Sequence, residues 1–165
     1  MSRALRRLVR RLGRRRWFAA VGKHVAPRLD RFVHRVSRGK VQLSSAFLPT
    51  LILVHSGRKS GREYQTPLAY LPHDEGYVIV GSNWGQQHHP AWTHNLLADP
   101  GVAIEMKGEH VPVAARLVTE PDERAELWGR LTQVWPAYDT YVERAGERQI
   151  RLFVLTPDEP AEVAD

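Results

Sequence analysis

The run Leu51-Ile52-Leu53-Val54 leads into Gly57-Arg58-Lys59-Ser60-Gly61-Arg62, and a second extended run follows from Glu63 to Leu71. An aliphatic run, a glycine-bracketed turn and another apolar run read as strand, turn and strand. Glycine reaches backbone conformations closed to other residues, so it suits the bend. The bend also carries three cations and a hydroxyl: Arg58, Lys59, Arg62 and Ser60. Two readings are open. The bend is a solvated hairpin tip, or it is an anion site where successive N–H groups converge and the cations attract phosphate. Arg58 stands where a Walker loop needs glycine, and no G-x-G-x-x-G occurs, so neither nucleotide motif is present.

Charge sharpens the choice. Residues 1–40 hold fourteen Lys or Arg and one acid, a net of +13; residues 41–165 hold ten and seventeen, a net of −7. The 58–62 cluster is thus a cationic exception in an acidic body. The basic segment places Leu5, Leu8, Val9 and Leu12 at helical spacing between arginines, which predicts a basic amphipathic helix. It suits either an anionic membrane surface or packing on the domain. Nucleic acid is disfavoured, because no recognised binding motif accompanies the charge. Charges interrupt every apolar stretch near the start, which argues against a secretion signal. No run approaches the ~18 apolar residues a spanning helix needs. The expected location is therefore cytoplasmic, peripheral on the inner face of the membrane if the basic segment binds lipid.

At 165 residues the chain fits one core. It has no cysteine, which excludes disulfides, cysteine–metal sites and cysteine nucleophiles. The expected division is a basic helical extension over 1–40, a domain over 41–157 and an acidic tail over 158–165. Within the domain, strands are predicted at 51–55, 63–71, 77–80, 102–106, 110–117 and 150–155. A helix starts at Pro90 and runs to about 98. A second follows Thr119 as its cap, with Pro121 and acids in its first turn, and a third spans 136–145. Hairpin connections favour an antiparallel sheet, and six such strands can close into a small barrel. His88, His89 and His94 lack the spacing and the companion ligands of a metal site, so no metal is expected.

Several motifs in series resemble one family. They are Gly57-Arg58-Lys59-Ser60-Gly61, Thr66-Pro67-Leu68, Ser82 to Gly85, Pro90-Ala91-Trp92, Asn95-Leu96, Pro100, Trp135-Pro136-x-Tyr138 and Leu155-Thr156-Pro157. Together, over about residues 45–157, they resemble the deazaflavin-dependent nitroreductases of actinobacteria. The resemblance implies an α+β fold, a split β-barrel of about six mostly antiparallel strands with three or four helices. It implies hydride transfer from reduced 8-hydroxy-5-deazaflavin coenzyme F-420, whose tail is anionic, to a quinone, nitroaromatic or similar small-molecule acceptor. FMN is the alternative cofactor, as in related split-barrel oxidases. A non-enzymatic cofactor carrier or membrane-surface protein is the remaining alternative, and a homodimer is compatible with the chain.

The resemblance also assigns residues. Gly57, Arg58, Lys59, Ser60 and Gly61 hold phosphate, and Thr66 and Pro67 border the cofactor. Ser82, Asn83 and Gly85 fall where the family lines the ring, and Asn95 falls on the cofactor side. Tyr64 stands where the family usually carries arginine, and Arg62 is the substitute charge. Trp84 replaces a family glycine and either stacks on the cofactor, shapes the acceptor pocket or covers the barrel mouth. Trp135, Tyr138 and Tyr141 lie at i, i+3 and i+6, and two readings stay open: a stacking wall for a flat acceptor, or core. The cofactor supplies the chemistry, so no side-chain acid is obligatory; Tyr138, Tyr141 and Ser82 are the candidate proton donors.

Overall fold

The structure, a computed structural model, describes residues 49–74 and 76–158. The 1–40 extension and nearly all of the acidic tail lie outside the described residues. Six strands form a closed antiparallel barrel in the order β1-β2-β3-β6-β5-β4. They are β1 (Thr50–Ser56), β2 (Glu63–His73), β3 (Gly76–Val80), β4 (Gly101–Met106), β5 (Glu109–Leu117) and β6 (Leu152–Pro157). β1 pairs with β4 to close the ring. Three α-helices accompany them: α1 (Ala91–Ala98), α2 (Pro121–Val134) and α3 (Ala137–Ala145). A 3₁₀ turn covers Asn83–Gly85. The predicted fold class and all six strands are therefore present.

Period-2 alternation sorts the barrel into two cores. Leu51, Leu53, Ile79, Ile104, Val113, Ala115, Phe153 and Leu155 face inward and pack with Trp92 and Leu96 of α1, which sits at one end of the barrel. Trp92 meets Phe153 at 5.8 Å between ring centroids. The alternate positions Val78, Val80, Leu152 and Val154 face outward, where α2 and α3 cover them with Leu127, Leu131, Trp135, Tyr138 and Tyr141. One sheet thus carries a core on both faces across β3 and β6. This explains why those strands read as nearly continuous apolar runs.

Most element ends lie one or two residues from the sequence expectation, and two of the differences have a local cause. The cap of α2 is Glu120, not Thr119, and its side chain makes no capping bond. Pro121 at the first helical position has a fixed φ and no N–H, which reduces the need for a side-chain cap. The closing strand starts at Leu152 rather than Ile150, because its register against β3 begins there at Val80. No described helix is long and apolar enough to cross a membrane.

Candidate functional site

The β1–β2 turn is closed by its own backbone. The Gly57 N–H donates to the Arg62 carbonyl at 2.8 Å, and the Ser60 and Gly61 N–H groups donate to the Gly57 carbonyl at 3.1 and 2.7 Å. A Cβ on Gly57 would stand 2.6 Å from both Ser60 Oγ and the Tyr64 ring. Gly61 has φ +64°, a left-handed conformation that favours glycine. Arg62 N–H reaches Ser60 Oγ at 3.3 Å, and Arg58 N–H reaches Asn95 Oδ1 at 3.1 Å. The expectation of converging free N–H groups is therefore corrected: a turn this tight uses them internally. Only the Lys59 N–H has no protein acceptor among the described residues. Attraction for an anion falls instead to the Arg58 and Lys59 side chains. Both residues are exposed, and no ion pair joins either to a carboxylate among the described residues.

Between this turn and α1 lies an open cleft of about 770 Å³. Arg58, Lys59, Ser60 and Tyr64 line one side, and Asn83, His88, His89, Pro90, Ala91 and His94 line the other. His55, Gly57, Thr66, Trp92 and Asn95 complete it, and no aspartate or glutamate among the described residues takes part. The histidines report the same positive field. His89 is pushed down to about 4 by burial, then by Arg151, Arg148 and His94. His94 is lowered by burial, Arg151 and Arg58. Their rings meet edge to face at 5.7 Å. Arg151 Nη1 donates to Thr93 Oγ1 at 3.1 Å, so this cation is fixed from α1. A wet cleft with Arg58 and Lys59 on one wall, Arg148 and Arg151 acting on the histidines of the other, and no acid among its described lining residues favours anions.

Beneath the turn, one buried network joins three elements. His55 is 5% exposed and Asn95 8% exposed. Asn95 Nδ2 lies 3.1 Å from His55 Nδ1, and His55 Nε2 lies 3.0 Å from Thr66 Oγ1. Tyr64 stacks on the imidazole with centroids 5.8 Å apart and planes 20° apart. Burial lowers the His55 pKa, opposed by the Ser56 backbone carbonyl. Sequence reasoning missed His55. The signal was its parity: it continues the inward row of Leu51 and Leu53, opposite Tyr64 in the β2 register. A polar residue ending an inward apolar row at a strand terminus is where a barrel opens to solvent.

Of the residues assigned to the cofactor, Gly57, Arg58, Lys59, Ser60, Tyr64, Thr66, Asn83 and Asn95 share this cleft. Gly61, Arg62, Pro67, Ser82, Trp84 and Gly85 are not among its lining. Gly61 shapes the turn. The Ser82 carbonyl accepts from Arg148 Nη2 at 2.7 Å. Arg148 also bonds the Gln86 carbonyl at 2.7 Å and the Gly81 carbonyl at 3.1 Å, so one guanidinium fastens the whole 81–86 turn. That role was invisible in sequence, because its partners are backbone atoms more than sixty residues away. Trp84 packs at 6.0 Å on Tyr141 rather than toward the cleft.

Of the two readings of the aromatic face, the burial of its residues favours core. Trp135, Tyr138 and Tyr141 are 8%, 8% and 3% exposed and belong to the outer core with Leu127 and Leu131. Tyr138 and Tyr141 meet edge to face at 6.0 Å. Burial, with Tyr141 beside it, drives the Tyr138 hydroxyl far above the ordinary tyrosine range. Burial raises Tyr141 too, against the Trp135 indole and Arg144, which lower it. Such hydroxyls hold their protons at neutral pH and are poor acids.

A family model described as F420H(2)-dependent quinone reductase matches residues 26–157. The chain belongs to that family. An F420H(2)-dependent quinone reductase of Mycobacterium tuberculosis is 30% identical over 139 residues, covering 81% of this chain and 93% of the relative. A second relative from that organism, provisionally given the same reductase name, is 36% identical over 110 residues, covering 67% of this chain and 91% of the relative. A solved structure of an F420-H2-dependent reductase superposes with TM-score 0.58 at 28% identity, over 65% of this chain and 93% of that one. The quinone reductase family match takes in both the turn and α1, so the cleft lies wholly within the matched segment.

Proposed function

We propose that this chain is a deazaflavin-dependent oxidoreductase that binds reduced coenzyme F-420 in the cleft between the β1–β2 turn and α1 and reduces a quinone. The observation that carries the location is the acid-free lining with Arg58 and Lys59 on one wall. That donor set fits an anionic coenzyme arm, because guanidinium and ammonium groups make charge-assisted bonds to phosphoryl and carboxylate oxygens. When bound, the reduced deazaflavin supplies the hydride that the quinone accepts.

The protein's part is binding and orientation. Arg58 and Lys59 hold the anionic arm, and Ser60 adds a hydroxyl beside them. Asn95 fixes the turn from α1 through the Arg58 N–H. Gly57 admits Ser60 and Tyr64 where a side chain would collide with them. Asn83, tied by its Nδ2 to the His88 carbonyl at 2.9 Å, shapes the opposite wall. We assign Tyr138 and Tyr141 to packing, and the proton that completes quinone reduction to solvent.

Fluorescence titration of the full chain with F-420 and with FMN tests the cofactor. Saturable F-420 binding with weak FMN binding is expected. Tight FMN binding with none for F-420 overturns the proposal. For the basic segment over 1–40 we propose attraction to an anionic lipid surface, on its charge and helical spacing. Sedimentation with phosphatidylglycerol vesicles should be lost when residues 1–40 are removed. Equal sedimentation without them contradicts it.

A further inference from the structure

We infer that His55 is a positioning residue: Asn95 holds it as the neutral Nε2–H tautomer, and it thereby turns the Thr66 hydroxyl proton into the cleft as a donor to the bound cofactor. The last step rests on the cofactor location proposed above; the tautomer does not.

The assignment follows from what each atom is able to do. A backbone N–H only donates, so the Asn95 atom facing Arg58 N–H at 3.1 Å must be the carbonyl oxygen. The Asn95 amide nitrogen then faces His55 Nδ1 at 3.1 Å. An amide nitrogen also only donates, so Nδ1 must accept and carries no proton. A neutral imidazole then bears its hydrogen on Nε2, which donates to Thr66 Oγ1 at 3.0 Å. Flipping the Asn95 amide would set its nitrogen, a donor, against the Arg58 N–H, also a donor. Protonating His55 would place a second N–H against the Asn95 amide. Burial of the ring opposes that proton as well and outweighs the Ser56 backbone, which favours it.

The consequence falls on Thr66. One lone pair of its oxygen is taken by the Nε2–H, and its own proton has no protein acceptor among the described residues. Thr66 lines the cleft. Tyr64 covers one face of the imidazole, and Asn95 and Thr66 hold its two nitrogens, so the ring has little freedom to change partners. The site therefore favours an acceptor atom on the ligand beside Thr66, such as a carbonyl oxygen or an unprotonated ring nitrogen. A ligand N–H or O–H donor there meets only the second lone pair of Oγ1 and leaves the Thr66 proton without an acceptor.

Two measurements on the full chain decide it. Long-range proton–nitrogen correlation spectra of the ¹⁵N-labelled chain without ligand, near pH 7.5, read the tautomer directly, with His55 assigned by its loss in His55→Gln. A protonated Nε2 and bare Nδ1 are expected; a protonated Nδ1, or averaging between the two, overturns the inference. Fluorescence titration with F-420 then reads the donor. Thr66→Ser should bind within about twofold of the unmodified chain, and Thr66→Val roughly five- to tenfold more weakly. Unchanged binding by a folded Thr66→Val chain overturns the Thr66 role while leaving the cofactor assignment standing. Failure of the unmodified chain to bind F-420 overturns that assignment and the cofactor contact together, and the spectra still decide the tautomer.

Discussion

The cleft beneath the β1–β2 turn and the aromatic layer under α3 both carry rings and polar atoms, yet they have opposite physics. In the cleft, His55, Asn95 and Thr66 are matched donor to acceptor, and Arg58 and Lys59 stand in water with no acid beside them. In the layer, Trp135, Tyr138 and Tyr141 are packed against leucines, and their burial lifts the tyrosine pKa values. On the proposed function, one region binds the ligand and the other supplies stability. Mutations should therefore separate: the layer should change unfolding without changing affinity, and the cleft the reverse.

The largest expected effect is in the layer. Leu127 is fully buried there, and Leu127→Ala should cost about 2–5 kcal/mol of stability. Thermal unfolding should show the drop, while the F-420 dissociation constant of the folded chain stays within about twofold. A matching loss of affinity would break the separation. Next, Arg58→Ala combined with Lys59→Ala should weaken F-420 binding about ten- to a hundredfold, with the melting temperature nearly unchanged. The deficit should shrink as salt rises, because exposed charges are screened. A salt-independent deficit would assign the loss to turn distortion instead.

Smaller effects sharpen the contrast. Tyr138→Phe should leave kcat and KM for a soluble quinone within about twofold, because that hydroxyl is buried and retains its proton. A large fall in kcat alone would restore the acid role. The cleft histidines add a pH dependence of stability. His89 is near 4 when folded against an ordinary 6.5, so the unfolded chain binds more protons between these values. Stability therefore rises with pH across that window and is lost progressively as pH falls from about 6.5 toward 4. His89→Asn should flatten part of that slope in unfolding curves. A slope of the opposite sign would mean that folding raises, rather than lowers, the affinity of His89 for its proton.

Much of this contrast was legible in the sequence, for unequal reasons. Strand parity is a strong signal, so the six strands and the glycine-bounded turn were readable from Leu51 to Leu71 and onward. The charge asymmetry isolated Arg58 and Lys59 because acids dominate the rest of the body. Aromatics at i, i+3 and i+6 are a weak signal. Spacing puts Trp135, Tyr138 and Tyr141 on one helix face but does not say what that face meets, and here it meets α2 and the outer side of β3 and β6. Long-range polar pairing was the least legible. His55 with Asn95, forty residues apart, and Arg148 with the 81–86 carbonyls depend on barrel closure, which no local pattern encodes. The free N–H nest failed for a related reason: the Gly57 carbonyl is the nearest acceptor, and the turn folds onto it.

A crystal structure of the full chain with coenzyme F-420 tests the central claim most directly. The account predicts anionic oxygens of the coenzyme arm within roughly 3 Å of the Arg58 and Lys59 side chains, with the arm lying along the cleft beside α1. Finding those two side chains in bulk solvent, and the coenzyme against the aromatic face of α3 or elsewhere, would contradict it.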